Sequence, residues 1–257
     1  MAEIHPTAVI DPSAVIGTST RIGAYCVIGA DVVLGGGCHL HNHVSIAGPT
    51  RIGEDNEIHP FCSIGQRSQD LKYKEEPTFL EIGNQNTFRE FVTVNRGTAP
   101  GSATRIGSHS SFLAYAHIAH DCTVGNHVIF SNNGTIAGHV TVGDHAVIGG
   151  LSGVHQFCRI GEHAIIGGCT KIVQDVPPFM IADGNPAEIR GVNMVGLERR
   201  GFSSEAVREL RESFKLIYRS NKNTAQALEA LREQFADSEP VGALIAFISS
   251  SERGIIR

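Results

Sequence analysis

A large aliphatic or aromatic side chain recurs at every sixth position, and this period constrains the fold more than any other feature of the sequence. One run has eleven members from Ile4 to Ile64, and a second has twelve from Ile106 to Ile172. Ile82, Phe88 and Val94 keep the same phase between them. A period of six matches neither a helix nor an alternating strand. It is typical of a hexapeptide solenoid, in which three hexads form one triangular coil.

The sequence therefore predicts an all-β solenoid, with the periodic side chains inside and parallel β pairing between coils. Solenoids of this type are left-handed, so resemblance to them implies a left-handed parallel β-helix. We expect this β-helix domain to span residues 1–190. Two polar stretches that lack the pattern, 66–80 and 97–104, are predicted to be loops, and loops on a rigid scaffold often have functional roles.

Glycines and cysteines occupy fixed slots in the repeat. Glycine often follows the periodic residue, as at Ile106-Gly107 and Ile160-Gly161, which we interpret as a supply of positive φ at the corners. Five of the six cysteines lie two positions before a periodic residue, where small side chains are usual, and no C-x-x-C pair is present. We therefore expect the cysteines to be small buried hydrophobic residues, and we expect neither disulfides nor a zinc site.

The composition changes after Asp175-Val176-Pro177-Pro178, and a small helical domain is predicted over 191–257. Ser203 is expected to cap one helix and Thr224 a second, with a third over 241–250. Segment 196–223 carries seven Lys or Arg and four Asp or Glu within a chain of net charge −5. Its basic surface is expected either to bind an acidic partner or to be an ordinary solvated helix face.

Composition also excludes several functional classes. The negative net charge disfavours nucleic-acid binding by the chain as a whole. No apolar run reaches the ~18 residues of a membrane span. The N-terminal residues lack the basic start and apolar stretch of a signal peptide, so a cytoplasmic location is predicted.

The repeat is broken by reactive polar residues at one place above all. His120 replaces the small or turn residue usual at its slot, Asp121 adjoins it, and His117 lies three positions earlier. Histidine is suited to general-base catalysis near neutral pH, and a neighbouring carboxylate can orient it. His139 follows one coil later and His155-Gln156 two coils later, so these residues are candidates for the same site.

These residues lie within motifs that extend over the whole chain. The chain resembles the UDP-N-acetylglucosamine 3-O-acyltransferase family of lipid A synthesis, with its motifs in the family's order. The matching strings are Gln69–Tyr73, His117–Cys122, Asn132-Asn133, Ala137-Gly138-His139, His155–Cys158, Gln174–Pro178, Arg199–Ser203 and Arg253–Arg257.

The resemblance implies a reaction in which His120 takes a proton from the sugar 3-hydroxyl, which attacks the thioester of an (R)-3-hydroxyacyl chain on acyl carrier protein. Asp121 would orient His120, and the Gly138 N–H would hold the oxyanion. A homotrimer with sites between subunits is implied, without metal or other cofactor. Gly168 would form the floor of the acyl groove. Implied substrate-binding residues are Gln69, Asp70, Lys72, His117, His139, His155, Gln156, Gly168, Asn193, Arg199 and Arg200.

Three positions depart from the usual family pattern. Asn95 and Pro186 stand where His occurs, and Val195 stands where Glu is frequent. They leave open an alternative acceptor, the 3-amino analogue of the UDP-sugar, which would give an amide.

A hexapeptide repeat is also compatible with other functions. A γ-type carbonic anhydrase needs zinc-binding histidines five residues apart, and no two histidines have that spacing. A glucosamine N-acyltransferase of the same pathway or an acetyl-CoA enzyme is a further alternative. A non-enzymatic solenoid scaffold is the remaining alternative. It predicts uniform outward faces, and the cluster around His120 and the polar stretch 66–80 argue against it.

Overall fold

The computed structural model describes residues 1–257 and consists of a three-sided parallel β-helix followed by helices. Most coil sides carry a strand of only two residues, and each strand pairs with the equivalent strand of the next coil. We call the three faces sheets I, II and III, in the order in which the chain meets them.

Sheet I has eleven strands and includes a terminal hairpin. Its strands are β1 Glu3–Ile4, β4 Arg21–Ile22, β7 His39–Leu40, β10 Glu57–Ile58, β13 Thr87–Phe88, β16 Ser111–Phe112, β19 Ile129–Phe130, β22 Val147–Ile148, β25 Ile165–Ile166, β27 Met180–Gly184 and β28 Ala187–Val192.

Sheets II and III have nine and eight strands. Sheet II contains β2 Val9–Ile10, β5 Val27–Ile28, β8 Ser45–Ile46, β11 Ser63–Gln66, β14 Thr93–Asn95, β17 His117–Ile118, β20 Thr135–Ile136, β23 Gly153–Val154 and β26 Lys171–Ile172. Sheet III contains β3 Val15–Ile16, β6 Val32–Leu34, β9 Thr50–Ile52, β12 Phe79–Ile82, β15 Ala103–Ile106, β18 Thr123–Val124, β21 Thr141–Val142 and β24 Arg159–Ile160.

The periodic residues form the core from Ile22 onward. Ile22 through Ile172 are buried in register, whereas Ile4 at the open N-terminal end is 45% exposed. The five cysteines in the small-residue slot are buried and only Cys169 is exposed, as their positions in the repeat predicted. The Cys122 thiol donates to the carbonyl of Ala137 at 3.1 Å, and burial raises the pKa of Cys122 to about 12.

The expected role of the glycines was wrong in one respect. Gly107 and Gly161 do not have positive φ; that conformation belongs to non-glycine residues two positions further on, such as His109 and His163. A Cβ at Gly107 would lie 2.7 Å from the carbonyl oxygen of Gly125, and one at Gly161 would lie 2.3 Å from the Pro178 nitrogen. Glycine is needed there because successive coils approach too closely for a side chain.

Most of the positive-φ residues align in columns along the three corners of the prism. The aromatic corner, between sheets I and II, carries Tyr25, His43, Phe61, Phe91, Tyr115, Asn133, Leu151 and Cys169. The His120 corner, between sheets II and III, carries Asp31, Asp121, His139 and Phe157. The histidine corner, between sheets III and I, carries Ser19, Gly37, Asp55, Gln85, His109, His127, His145 and His163.

The two predicted loops leave the solenoid at the His120 corner, between β11 and β12 and between β14 and β15. The chain then forms four helices, α1 Met194–Arg199, α2 Ser204–Tyr218, α3 Thr224–Gln234 and α4 Glu239–Ser249. Ser203 caps α2 as predicted, by accepting from Ala206 N. The cap of α3 is Asn223, one residue before the predicted Thr224, because Asn223 and Gln226 form a reciprocal capping box. The hairpin β27–β28 and helix α1 were not predicted.

Candidate active site

His120 and Asp121 form a hydrogen-bonded pair at the corner that follows β17. The His120 Nδ1 lies 2.8 Å from the Asp121 Oδ2, and both side chains are largely buried. An ionised carboxylate only accepts hydrogen bonds, so this contact places the imidazole proton on Nδ1. The Nε2 of His120 is then the basic nitrogen, available to take a proton from a bound group.

The loop before β15 fixes Asp121, a function that the sequence motifs did not reveal. The Ser102 hydroxyl donates to Oδ1 of Asp121 at 2.6 Å, and the Thr98 N–H donates to both carboxylate oxygens at 3.1 and 3.2 Å. Burial by itself would raise the pKa of Asp121, but the hydrogen bonds from Ser102, His120 and Thr98 outweigh it and lower that pKa. Asp121 is therefore a fixed negative charge beside His120.

His117 lies on sheet II next to this pair. Its Nδ1 is 2.7 Å from the Thr93 hydroxyl, on the adjacent strand β14. Burial, with a smaller effect of His120, lowers the pKa of His117 and keeps the ring neutral near pH 7. A neutral His117 can offer one ring nitrogen to a substrate while Thr93 fixes the other.

Gly138 occupies the position one coil above His120. A Cβ at Gly138 would lie 2.4 Å from the Cε1 and 2.5 Å from the Nε2 of His120, so only glycine leaves room for the imidazole. The Gly138 N–H forms no hydrogen bond within the chain, whereas the neighbouring His139 N–H donates to the His120 carbonyl. An unpaired N–H beside a basic imidazole nitrogen can bind an oxyanion.

His139, His155 and Gln156 extend the same corner. The His139 ring meets His120 edge-on at 5.2 Å and stacks on Phe157 at 4.6 Å, with its Nε2 3.8 Å from Asp121 Oδ2. His155 and Gln156 are exposed, and the His155 Nδ1 lies 3.2 Å from the Gln156 carbonyl oxygen. The structure thus brings five predicted residues, His120, Asp121, Gly138, His139 and His117, into one cluster, with His155 and Gln156 along its edge.

The polar loop, residues 66–80, contacts the His120 corner only indirectly. The Ser68 and Thr98 hydroxyls are hydrogen-bonded at 2.6 Å, which links the loop to the residues that hold Asp121. Asp70 accepts from the Lys72 N–H, and Gln69 and Lys72 are exposed. None of Gln69, Asp70 and Lys72 forms a hydrogen bond with the His120 cluster of its own chain.

The remaining predicted residues lie at the other two corners. Gly168 is exposed at the aromatic corner, where a Cβ would meet only the Gly150 carbonyl oxygen at 3.4 Å. Asn193 is buried at the histidine corner, where it caps α1 and donates to the His163 carbonyl at 2.9 Å. Arg199 is exposed, and Arg200 donates to the His145 Nδ1 at 2.6 Å.

Two side-chain groups have ligand atoms close enough for a metal ion. His120, Asp121 and His139 form one group, and His39, His41 and Glu57 form the other, each with ligand atoms within 4.8 Å of one another. In the first group both Asp121 oxygens and the His120 Nδ1 already form hydrogen bonds within the chain. That arrangement suits an oriented general base.

A six-residue repeat wound into a three-sided prism, with a carboxylate-oriented histidine at a corner, defines a hexapeptide-repeat acyltransferase. The family model for bacterial transferase hexapeptides matches residues 1–36 and 103–138. The model described as UDP N-acetylglucosamine O-acyltransferase, domain 2, matches residues 175–256.

Solved structures extend this match to the whole chain. LpxA from Acinetobacter baumannii is 48% identical, with a TM-score of 0.96 and 99% of both chains covered. UDP-N-acetylglucosamine O-acyltransferase (LpxA) from Moraxella catarrhalis is 44% identical, with a TM-score of 0.95 and again 99% of both chains covered. The Arabidopsis UDP-N-acetylglucosamine acyltransferase is 36% identical, with a TM-score of 0.88, 99% of this chain and 100% of that chain covered.

The chain belongs to the UDP-N-acetylglucosamine O-acyltransferase family. The predicted left-handed parallel β-helix and the predicted acyltransferase class are thereby confirmed. None of the helices is both long and apolar enough to cross a membrane.

Proposed function

We propose that this protein transfers an (R)-3-hydroxyacyl chain from acyl carrier protein to the 3-position of UDP-N-acetylglucosamine, the first step of lipid A synthesis. One observation carries the mechanism: the His120–Asp121 pair, whose basic ring nitrogen lies next to Gly138, a residue whose backbone N–H is unpaired. Family membership supports UDP-N-acetylglucosamine as the acceptor substrate, and the His120–Asp121 pair supplies the general base.

His120 begins the reaction as general base. Its Nε2 takes the proton of the sugar 3-hydroxyl as the oxygen attacks the thioester carbonyl, and Asp121 stabilises the imidazolium that forms. The Gly138 N–H stabilises the negative charge on the former carbonyl oxygen. When the tetrahedral intermediate collapses, the C–S bond breaks and His120 returns the proton to the departing thiolate of the carrier. An ester and a free thiol result, and the base is regenerated.

A homotrimer explains why the predicted residues occupy different corners. Within one chain, Arg199 and Arg200 lie at the histidine corner and Gly168 at the aromatic corner, away from His120. A second copy placed against the His120 corner would supply the missing contacts from its own corners or polar loop. We therefore propose that each site forms between two subunits.

The acyl carrier would approach the basic stripe of α2. Arg208, Arg211, Lys215 and Arg219 are exposed and follow the three- and four-residue spacing of one helix face. Acyl carrier proteins are strongly acidic, so this stripe would accelerate docking by electrostatic attraction. The cytoplasm, where such carriers operate, is the proposed location.

The 3-amino sugar is the second candidate acceptor, and Asn95 is the residue that keeps it open. Asn95 is buried on sheet II, where its amide donates to the Arg67 carbonyl at 2.8 Å and its Oδ1 has no partner. Because this oxygen is shielded from solvent, Asn95 would influence the acceptor by holding the Gln66–Arg67 backbone, not by direct contact.

A mass-resolved competition assay decides between the acceptors. The enzyme is given equal UDP-N-acetylglucosamine and its 3-amino analogue, with 3-hydroxyacyl carrier proteins of several chain lengths. The proposal expects mainly ester product from the hydroxyl sugar. Predominant amide product would establish the second candidate, and transfer to neither sugar would refute both.

A further inference from the structure

Two neighbouring strands of sheet I present three histidines and a glutamate on one outer surface. Strand β7 leads through His39, Leu40 and His41, and strand β10 through Glu57, Ile58 and His59. Leu40 and Ile58 are fully buried, and alternation along an extended chain turns the flanking residues outward. The parallel register pairs His39 with Glu57, which places His41 beside His59. The four side chains therefore form a two-by-two array.

The carboxylate of Glu57 is the point on which this array converges. Its Oε1 accepts a hydrogen bond from the His41 Nε2 at 3.0 Å, whose proton a metal ion would displace, and lies 3.5 Å from the His59 Nε2. The His39 and His41 rings are 4.1 Å apart, and the ligand atoms of His39, His41 and Glu57 lie within 4.8 Å of one another. The Arg21 guanidinium lies 3.5 Å from the His39 Nδ1, which leaves the Nε2 of His39 as the ring nitrogen available to a bound ion.

The two Glu57 separations fit a small divalent ion, and His59 joins the group of His39, His41 and Glu57 through its contact with Glu57. Tetrahedral zinc with bonds of 2.0–2.2 Å requires ligand atoms about 3.4 Å apart. The two Glu57 contacts are within about half an ångström of this spacing. His39 needs a turn of its ring, which its partly exposed position allows.

A second carboxylate lies close to one of the candidate ligands. Glu90 Oε1 lies 3.6 Å from the His59 Nδ1, on the side opposite Glu57. Arg89 holds Glu90 with two hydrogen bonds of 3.1 Å. Metal-binding histidines almost always donate their second ring N–H to a carboxylate, a backbone carbonyl or water, which fixes the tautomer and ring orientation. Glu90 is the carboxylate nearest to that nitrogen of His59.

We propose that His39, His41, Glu57 and His59 bind one divalent transition-metal ion, separately from the acyltransferase site. Imidazole and carboxylate ligands suit Zn²⁺, Co²⁺ or Ni²⁺, and Zn²⁺ is the appropriate probe. The ion joins two successive coils near the open N-terminal end of the solenoid. Its binding energy therefore stabilises that end against unfolding.

The test is calorimetric titration of the untagged, full-length protein with Zn²⁺. Every protein in the titration carries His120→Ala. This substitution removes a ligand from the other group with converging ligand atoms, His120, Asp121 and His139, so that zinc binding there does not obscure the result. We expect one Zn²⁺ per chain and a higher Tm with zinc. His41→Gln combined with His59→Gln should weaken binding at least tenfold and abolish the Tm increase.

His109→Gln combined with His127→Gln is the matched control. These rings also stack, at 4.8 Å, but no carboxylate converges on them. The control should bind zinc as tightly as its parent. Glu57→Gln, which preserves the shape and hydrogen bonding of the site, tests the carboxylate if the double variant fails to fold. Equal binding by the array variants and their parent, or an equal loss in the control, would overturn the proposal.

Discussion

Gly138→Ala perturbs the proposed catalytic base without touching its chemistry. The added Cβ would lie 2.4–2.5 Å from the His120 ring, about 1 Å closer than an ordinary van der Waals contact. The Gly138 backbone is held by the coils on either side and has no positive φ, so alanine is acceptable there and the ring must move. Either the ring shifts by about 1 Å, or it rotates and loses its hydrogen bond to Asp121.

A misplacement of this size costs on the order of 10²-fold in rate. We therefore expect kcat to fall about a hundredfold, with little change in KM for the UDP-sugar, because the sugar-binding groups remain. Steady-state kinetics with mass detection measure both constants. Gly191→Ala is the matched control, since a Cβ there meets no atom within 4 Å, and it should leave kcat unchanged. A Gly138→Ala enzyme with more than half of the wild-type kcat would refute the proposed arrangement of His120 and Gly138.

Three further predictions follow from other parts of the molecule. Gly168→Met should shift the product profile towards shorter acyl chains. The protein should stay folded, since position 168 is exposed and has room for a side chain. An unchanged chain-length profile would exclude Gly168 from the acyl groove. Burial lowers the pKa of His163 to about 4, so the stability it contributes is complete above pH 6.5 and is lost as the pH falls towards 4. The loss amounts to about 3 kcal/mol, and His163→Phe should flatten urea midpoints measured across that range. Arg211→Glu with Lys215→Glu should raise KM for the acyl carrier and reduce its salt dependence, whereas an unchanged KM would place docking elsewhere.

The fold could be predicted from the sequence because one period dictates nearly every buried position. Ile22 to Ile172 are buried in the predicted phase, and the cysteine slot follows from the same rule. The hairpin β27–β28 was missed because it follows the last repeat, where the six-residue pattern no longer applies. The position of glycine in the repeat was evident from the sequence, but the reason for it was predicted wrongly. The close approach of successive coils cannot be seen in a single repeat.

The site was predictable only in part. His120 and Asp121 are adjacent in sequence and break the repeat, so their pairing could be expected. Ser102 and Thr98 are common loop residues, and only the folded loop brings them to Asp121. The positions of Arg200 and Gly168 at other corners depend on the coil geometry. Under the proposed trimer their roles would depend on a neighbouring subunit, which a one-chain pattern does not encode.

The central claim, that His120 is the general base, is tested most directly by His120→Ala. Turnover of UDP-N-acetylglucosamine and 3-hydroxyacyl carrier protein is measured by mass spectrometry, with size-exclusion chromatography and circular dichroism on the same sample. We predict that kcat falls by about 10²–10⁴-fold while the oligomeric state and the circular-dichroism spectrum remain those of the wild type. A correctly folded His120→Ala enzyme that turns over near the wild-type rate would contradict the mechanism.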